Sequence, residues 1–306
     1  MKLEEKKYPK ILVGGPVTEF KLGPMPQFIA NLKKFTYPNM TVVFTDNSPT
    51  DSLREAMKPF KGNFPLHIIP TKYRAYVRER LVEGRNLLRA IILKQKDLSA
   101  FELTPKYEKL VRELQKEDFD YFFSLEQDVL PPVDVLERLL SCDKDIVQGV
   151  YFNQKRDDQT NTTKIIPMAW TWGDPEIKEV EFLRDMTMDH LLPSKVQQIA
   201  ASGVGCVLMK KEVLANMREN VYEHVTSDKI EEIKNSCLGG DLTIEKKDHN
   251  TTIKTRGFRY VQNKYACDDM FFSLDTTSAG YEIFMDSYIW CQHFHQQWDL
   301  QQVGER

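Results

Sequence analysis

Two carboxylates two residues apart, Glu126 and Asp128, lie in the stretch 121-YFFSLEQDVLPP-132. Residues two apart on extended backbone point the same way, so the pair can converge on one hard cation while a ligand's phosphate supplies further oxygens. Acids in a turn before a helix also act as simple caps, and that role competes for any single acidic tripeptide. Asp46 ends TVVFTD, where a carboxylate can accept hydrogen bonds from a nucleobase or ribose; Asn47 and Ser48 make a good turn there as well. Arg78, Arg85 and Arg89 of 78-RERLVEGRNLLRA-90 fall near one helical face and suit phosphates or, equally, a solvated basic face.

The second half adds its own candidates. Gly203 and Gly205 interrupt the apolar run IAASGVGCVLM, which marks either a bulge or the close approach of a ligand or backbone. Asp268 and Asp269 open a helical pattern that Gly280 would close, and the helix dipole favours acids in a first turn whatever their function. His293 and His295 follow the strand pattern YEIFMDSYIW and would point the same way on extended backbone.

These residues need elements to hold them. Short β-rich runs (KILVGG, TVVFTD, LHIIP, DYFFSL, IVQGVYF) alternate with helical patterns, including a long amphipathic one from Tyr73 to about Lys96, and predict βαβ units on a mostly parallel sheet. A helix is expected in PPVDVLERLLSC with proline in its first turn. Beyond residue 152 the pattern becomes mixed and β-rich, with a hairpin predicted in DLTIEKKDHNTTIKTRGFRYV. The polar run from Arg156 to Thr163 reads as a loop. In doubly wound sheets ligands gather beyond the carboxyl ends of the strands, which is where Asp46, Glu126 and Asp128 fall.

The totals exclude several classes. With 306 residues, 41% hydrophobic, 28% charged and a net charge of -3, the chain has the composition of a globular protein with no nucleic-acid signature. Its five cysteines are widely spaced and lack a C-x-x-C pair, which speaks against a disulfide framework and fits a reducing cytoplasm. The charged N-terminal residues lack a signal-peptide core, and no run approaches the ~20 apolar residues of a membrane span.

Taken in order, Asp46, Arg85 with Asn86, Glu126-Gln127-Asp128, Asp268-Asp269 and a late histidine resemble a nucleotide-sugar glycosyltransferase of the GT-A fold, family 2-like, with E-x-D in place of D-x-D. The likeness runs from Ile11 to His295. It implies an α/β fold of GT-A type, a doubly wound and mostly parallel sheet with a smaller mixed β region on the acceptor side. Residues 1–152 would form the nucleotide-sugar half and 153–306 the acceptor-side half of one continuous body.

The resemblance also implies roles. Asp46 would contact the base, Arg85, Asn86 and Gln127 would lie beside the donor nucleotide, and Glu126 would reach ribose or sugar. Ser202, Gly203 and Gly205 would supply backbone under the donor sugar. Asp128 would hold Mn²⁺ or Mg²⁺ together with His293 or His295, His293 being preferred, and an imidazole ligand tilts the choice toward Mn²⁺. Asp269 would be the general base of an inverting transfer of hexosyltransferase type, with Asp268 as its partner in the pair. The donor would be a nucleotide-diphosphate sugar, and the acceptor a hydroxyl of a glycan, lipid, protein or modified nucleic acid.

Two rivals remain at this level. Sugar nucleotidyltransferases also pair such a sheet with an acid-bound metal, yet GGPVTEFKLGPMP carries Lys21 without their arginine. A carbohydrate-binding protein of the same fold would have no reason to keep Asp128, Asp269 and a late histidine together.

Overall fold

The computed structural model describes residues 8–58, 64–157, 161–174, 176–177, 179–191, 196–247, 250–261 and 266–294. The first half runs β1 (Ile11–Val17), α1 (Met25–Leu32), β2 (Met40–Asp46), α2 (Ser52–Met57), β3 (Leu66–Pro70), α3 (Val77–Ile92), α4 (Pro105–Leu114), β4 (Tyr121–Leu125), β5 (Val129–Leu130), α5 (Val135–Ser141) and β6 (Ile146–Val150). The second runs β7 (Phe152–Asp157), β8 (Thr162–Pro167), β9 (Ala169–Trp172), β10 (Leu183–Asp185), β11 (Val196–Ile199), β12 (Ala201–Ser202), β13 (Cys206–Lys210), α6 (Lys211–Asn216), β14 (Asn220–Tyr222), α7 (Ser227–Ser236), β15 (Asp241–Lys247), β16 (Asn250–Arg256), α8 (Asp268–Ser278), β17 (Ile283–Trp290) and β18 (Gln292–His293).

An eight-stranded sheet in the order β11-β17-β6-β13-β4-β1-β2-β3 organises the chain. All its strands share one direction except β13, which is antiparallel to β4 and β6, and β11, which is antiparallel to β17. This is a mixed α/β architecture around a large, mostly parallel sheet, and strands from before and after residue 152 share it. Every residue of β1, β2 and β6 is buried, as expected of strands covered on both faces.

Side chains alternate between the two faces along each strand. Leu12, Phe122 and Ile146 face a core with Leu87, Leu88 and Ile91 of α3, Val111 of α4 and Phe272 of α8. Ile11, Val13 and Phe123 face the other, with Phe28 of α1, Leu53 of α2 and Leu136 of α5. Burying both faces in this way is the dominant favourable contribution to the fold.

Several expectations meet the structure closely: β3 has the predicted bounds, β4 starts one residue into DYFFSL, and β15 pairs with β16 as the expected hairpin. Others change. The helix expected from Tyr73 begins at Val77, and the chain leaves it through a left-handed Lys94 (φ 56°). The prolines expected inside α5 precede it, because the helix starts at Val135 after Asp134. The loop read from Arg156 to Thr163 is in part a ladder, with Arg156 opposite Thr163 and residue 157 opposite Thr162; residues 158–160 lie outside the described residues. Among the described residues, no helix is long and apolar enough to cross a membrane.

Candidate active site

The parallel strands deliver their carboxyl ends to one edge of the sheet. Asp46 ends β2, Glu126 to Asp128 follow β4, Tyr151 follows β6, and Cys291 leads from β17 into β18. Because β13 runs the opposite way, its beginning, with Gly203 and Gly205 just before it, meets the same edge.

Asp128 is held there by two partners. β18 pairs with β5, setting His293 opposite Val129, and the Phe294 N–H donates to the Asp128 carbonyl. His293 Nδ1 lies 2.7 Å from the Phe152 carbonyl and donates to it, which turns Nε2 toward Asp128 Oδ2 at 3.5 Å. The Lys21 ammonium reaches the same oxygen at 2.7 Å. Burial alone would raise the Asp128 carboxyl, but the hydrogen bond with His293 and the charge of Lys21 outweigh it and hold the group below the usual carboxylate range. Burial would lower His293, and the hydrogen bond and charge of Asp128 prevail in raising it. Asp128 Oδ1 is buried with no hydrogen-bond partner among the described residues.

A second group surrounds Arg85. Its guanidinium bonds Glu126 Oε1 at 2.7 Å through Nη2 and Asp268 Oδ2 through Nη1, tying the end of β4 to the start of α8. Glu126 keeps 28% of its side chain exposed and so faces the opening. Asp269 is buried next to this group, and burial raises its carboxyl above the usual range against the hydrogen bond of Cys267 and the charge of Arg85. The Tyr151 ring meets His293 edge-on with centroids 5.4 Å apart, and its hydroxyl accepts from Gly205 N–H at 2.9 Å. A Cβ on Gly203 would sit 2.2 Å from that hydroxyl, and one on Gly205 2.8 Å from it, so the glycines admit the phenol where any side chain would exclude it.

Several expected ligand contacts are spent inside the protein. Both Asp46 oxygens are engaged, Oδ1 by the Ser48 N–H and hydroxyl and Oδ2 by Arg54, so a base cannot reach them without displacing Arg54. Asn86 donates to the Leu238 and Phe258 carbonyls and accepts from Phe258 N–H, which makes it a brace for the chain after β16. Gln127 points back at the loop after β1, accepting from Thr18 N–H and donating to the Thr18 and Lys21 carbonyls. It thereby fixes the loop that carries Lys21 to Asp128. Arg89 binds the Leu214 carbonyl and Asp241 instead of facing the opening. The Ser202 hydroxyl is buried and donates to the Gly203 carbonyl. His295 lies outside the described residues.

Sequence reading missed Arg54 and Tyr151 and gave Lys21 no partner. Tyr151 had a usable signal, since it directly follows a buried strand at the ligand-binding edge. Arg54 had none, because its pairing with Asp46 depends on how α2 folds back.

The residues suit a divalent cation in part. Asp128 with its unpartnered oxygen and His293 through Nε2 are two donors of suitable type for Mn²⁺ or Mg²⁺, and ligand oxygens would have to supply the rest. Among the described residues no cluster of three His, Cys, Asp or Glu side chains forms a ready site.

Comparisons with known proteins add little. No family model matches the chain, and no curated protein does. Among solved structures, the crystal structure of A197 from STIV aligns over 94% of this chain and 86% of that one, with a TM-score of 0.39 and 11% identity. A likeness that weak carries no argument.

Proposed function

We propose that the protein is a divalent-cation-dependent glycosyltransferase of GT-A type that moves a sugar from a nucleotide diphosphate to an acceptor hydroxyl with inversion. One observation carries this reading: acids from the end of β4 and the start of α8, far apart in sequence, meet through Arg85 at the sheet edge where β18 also brings His293 to Asp128.

Asp128 and His293 would hold the cation. When bound, it would neutralise the charge that develops on the departing diphosphate. Before a ligand arrives, Lys21 balances the buried Asp128 carboxylate. Asp269 accepts the acceptor's proton as the hydroxyl oxygen bonds to the anomeric carbon and the carbon–oxygen bond to phosphate breaks, releasing the nucleoside diphosphate. Its burial suits that role, because a carboxylate raised above its usual range is a stronger base once ionised. Arg85 positions the acids by holding Asp268 and Glu126.

Incubating the protein with a panel of nucleotide sugars and Mn²⁺ tests this. Free nucleoside diphosphate with released or transferred sugar is expected, and chelation should abolish it. Pyrophosphate chemistry would support a nucleotidyltransferase instead. Silence across the panel would leave a binding protein and overturn the reading.

A further inference from the structure

Arg80 is a buried charge that the site above does not use. It is only 7% exposed, and its Nε and Nη1 are buried with no hydrogen-bond partner among the described residues. The other buried arginines differ, since Arg85, Arg89 and Arg259 each hold a carboxylate. A guanidinium does not shed its proton at ordinary pH, so burying one without an anion costs stability.

What surrounds it is aromatic. The guanidinium carbon lies 5.0 Å from the centroid of the Tyr73 ring and 5.6 Å from that of Phe20. Tyr73 and Phe20 are themselves 44% and 41% exposed, so the aromatic flank of Arg80 reaches the surface. The acids on the same turns bond elsewhere: Glu83 binds Arg74 at 2.8 Å, and Glu79 accepts from the Tyr260 hydroxyl at 3.4 Å.

The position also matters. Arg80 lies in the first turn of α3, which packs on β1 and β2 and begins beyond their carboxyl ends. Phe20 directly precedes Lys21, whose ammonium sits on Asp128, so Arg80 and Asp128 lie at the same edge of the sheet. The amino end of a helix adds further positive potential there.

We propose that Arg80, flanked by Phe20 and Tyr73, is an anion-binding position that takes a phosphate of a nucleotide-type ligand, with a flat ring of that ligand stacking on the exposed aromatics. The phosphate contact stands on Arg80 itself, while the nucleotide rests on the transferase reading. Arg85 differs in that both of its Nη groups already hold carboxylates, which neutralise its charge.

Calorimetric titration with inorganic pyrophosphate and with UDP, GDP, ADP and CDP, without divalent metal, tests it. Wild-type protein should bind pyrophosphate and at least one nucleoside diphosphate, and Arg80→Gln should weaken both about 10- to 100-fold, the worth of a charged hydrogen bond. Arg80→Lys should recover part of the loss. Phe20→Ala with Tyr73→Ala, both at exposed positions and so safe for folding, should weaken the nucleoside diphosphate more than pyrophosphate. Wild-type affinity in Arg80→Gln, or no binding of any probe by the wild-type protein, overturns the proposal. Should Arg80→Gln fail to fold, unchanged nucleoside diphosphate affinity in the double aromatic variant overturns it equally. Arg80-dependent diphosphate binding without sugar transfer would sink the transferase reading and leave this proposal standing.

Discussion

Two arginine–carboxylate clusters sit at α8, one beside β14 and one at the sheet edge. Arg259 grips Asp275 with two hydrogen bonds of 2.7 and 2.9 Å, Asn220 adds a third at 3.2 Å, and the guanidinium lies 4.6 Å from the Phe271 ring centroid. None of the Arg259 or Asp275 side-chain atoms is left buried without a partner. At the other end of the helix Arg85 divides itself between Glu126 and Asp268, yet among the described residues its buried Nε has no partner, and neither has Oδ1 of Asp128. A closed network fixes a structure, and residual donors and acceptors in an open one are available to a ligand. The difference separates a buried charge whose bonding groups are all met inside the protein from one with groups left over, a distinction residue type alone does not make.

The largest effect should come from the open side. Asp128→Ala should abolish cation-dependent transfer while the protein stays folded, because the residue follows the end of β4 and belongs to neither apolar cluster of the core. Nucleotide-release assays with Mn²⁺ measure this, and wild-type turnover would break the comparison at its centre.

Asp269→Asn should lower turnover by ~10² to 10⁴ while donor binding persists. The sign of its pH effects follows from the raised carboxyl. Wild-type activity should fall with acidification at a pH above the usual carboxylate range, as Asp269 gains its proton. Stability runs the other way: a raised folded-state value favours the folded protein below the unfolded value and loses that advantage as pH rises through the folded one. Asp269→Asn, which cannot ionise, should therefore melt at a higher temperature than wild type at neutral pH. Calorimetric melts of both proteins at pH 5 and pH 7.5 would show it, and an unchanged difference between the two pH values would contradict it.

The closed cluster should answer in stability alone. Asp275→Ala leaves Arg259 buried without its partner and should cost about 3–5 kcal/mol, read by denaturant unfolding, with near-normal turnover per folded molecule. A selective loss of turnover would mean that Asp275 also serves the site. The smallest effect is expected at Glu126→Gln, which loosens a pair that is partly solvent-exposed, so the loss of stability should be about 1 kcal/mol. A loss as large as that of Asp275→Ala would place Arg85 among the closed networks.

The alternation of buried runs such as ILVGGPV and YFFSL with amphipathic helices was legible because periodicity is local, and with it came the sheet and the edge where Asp128 sits. So was the acidic start of α8, since Asp268 and Asp269 are neighbours in sequence. Partners were not. Asn86, Gln127 and Asp46 looked available on residue type and strand position, and the folded chain spends all three on backbone groups or on Arg54. Whether a polar side chain is consumed or left free depends on groups that arrive from distant segments, as Lys21 does at Asp128 across 107 residues and Arg85 at Asp268 across 183. A sequence states which donors and acceptors exist; the tertiary structure decides which of them remain unpaired, because each buried polar group binds whatever packing brings within reach.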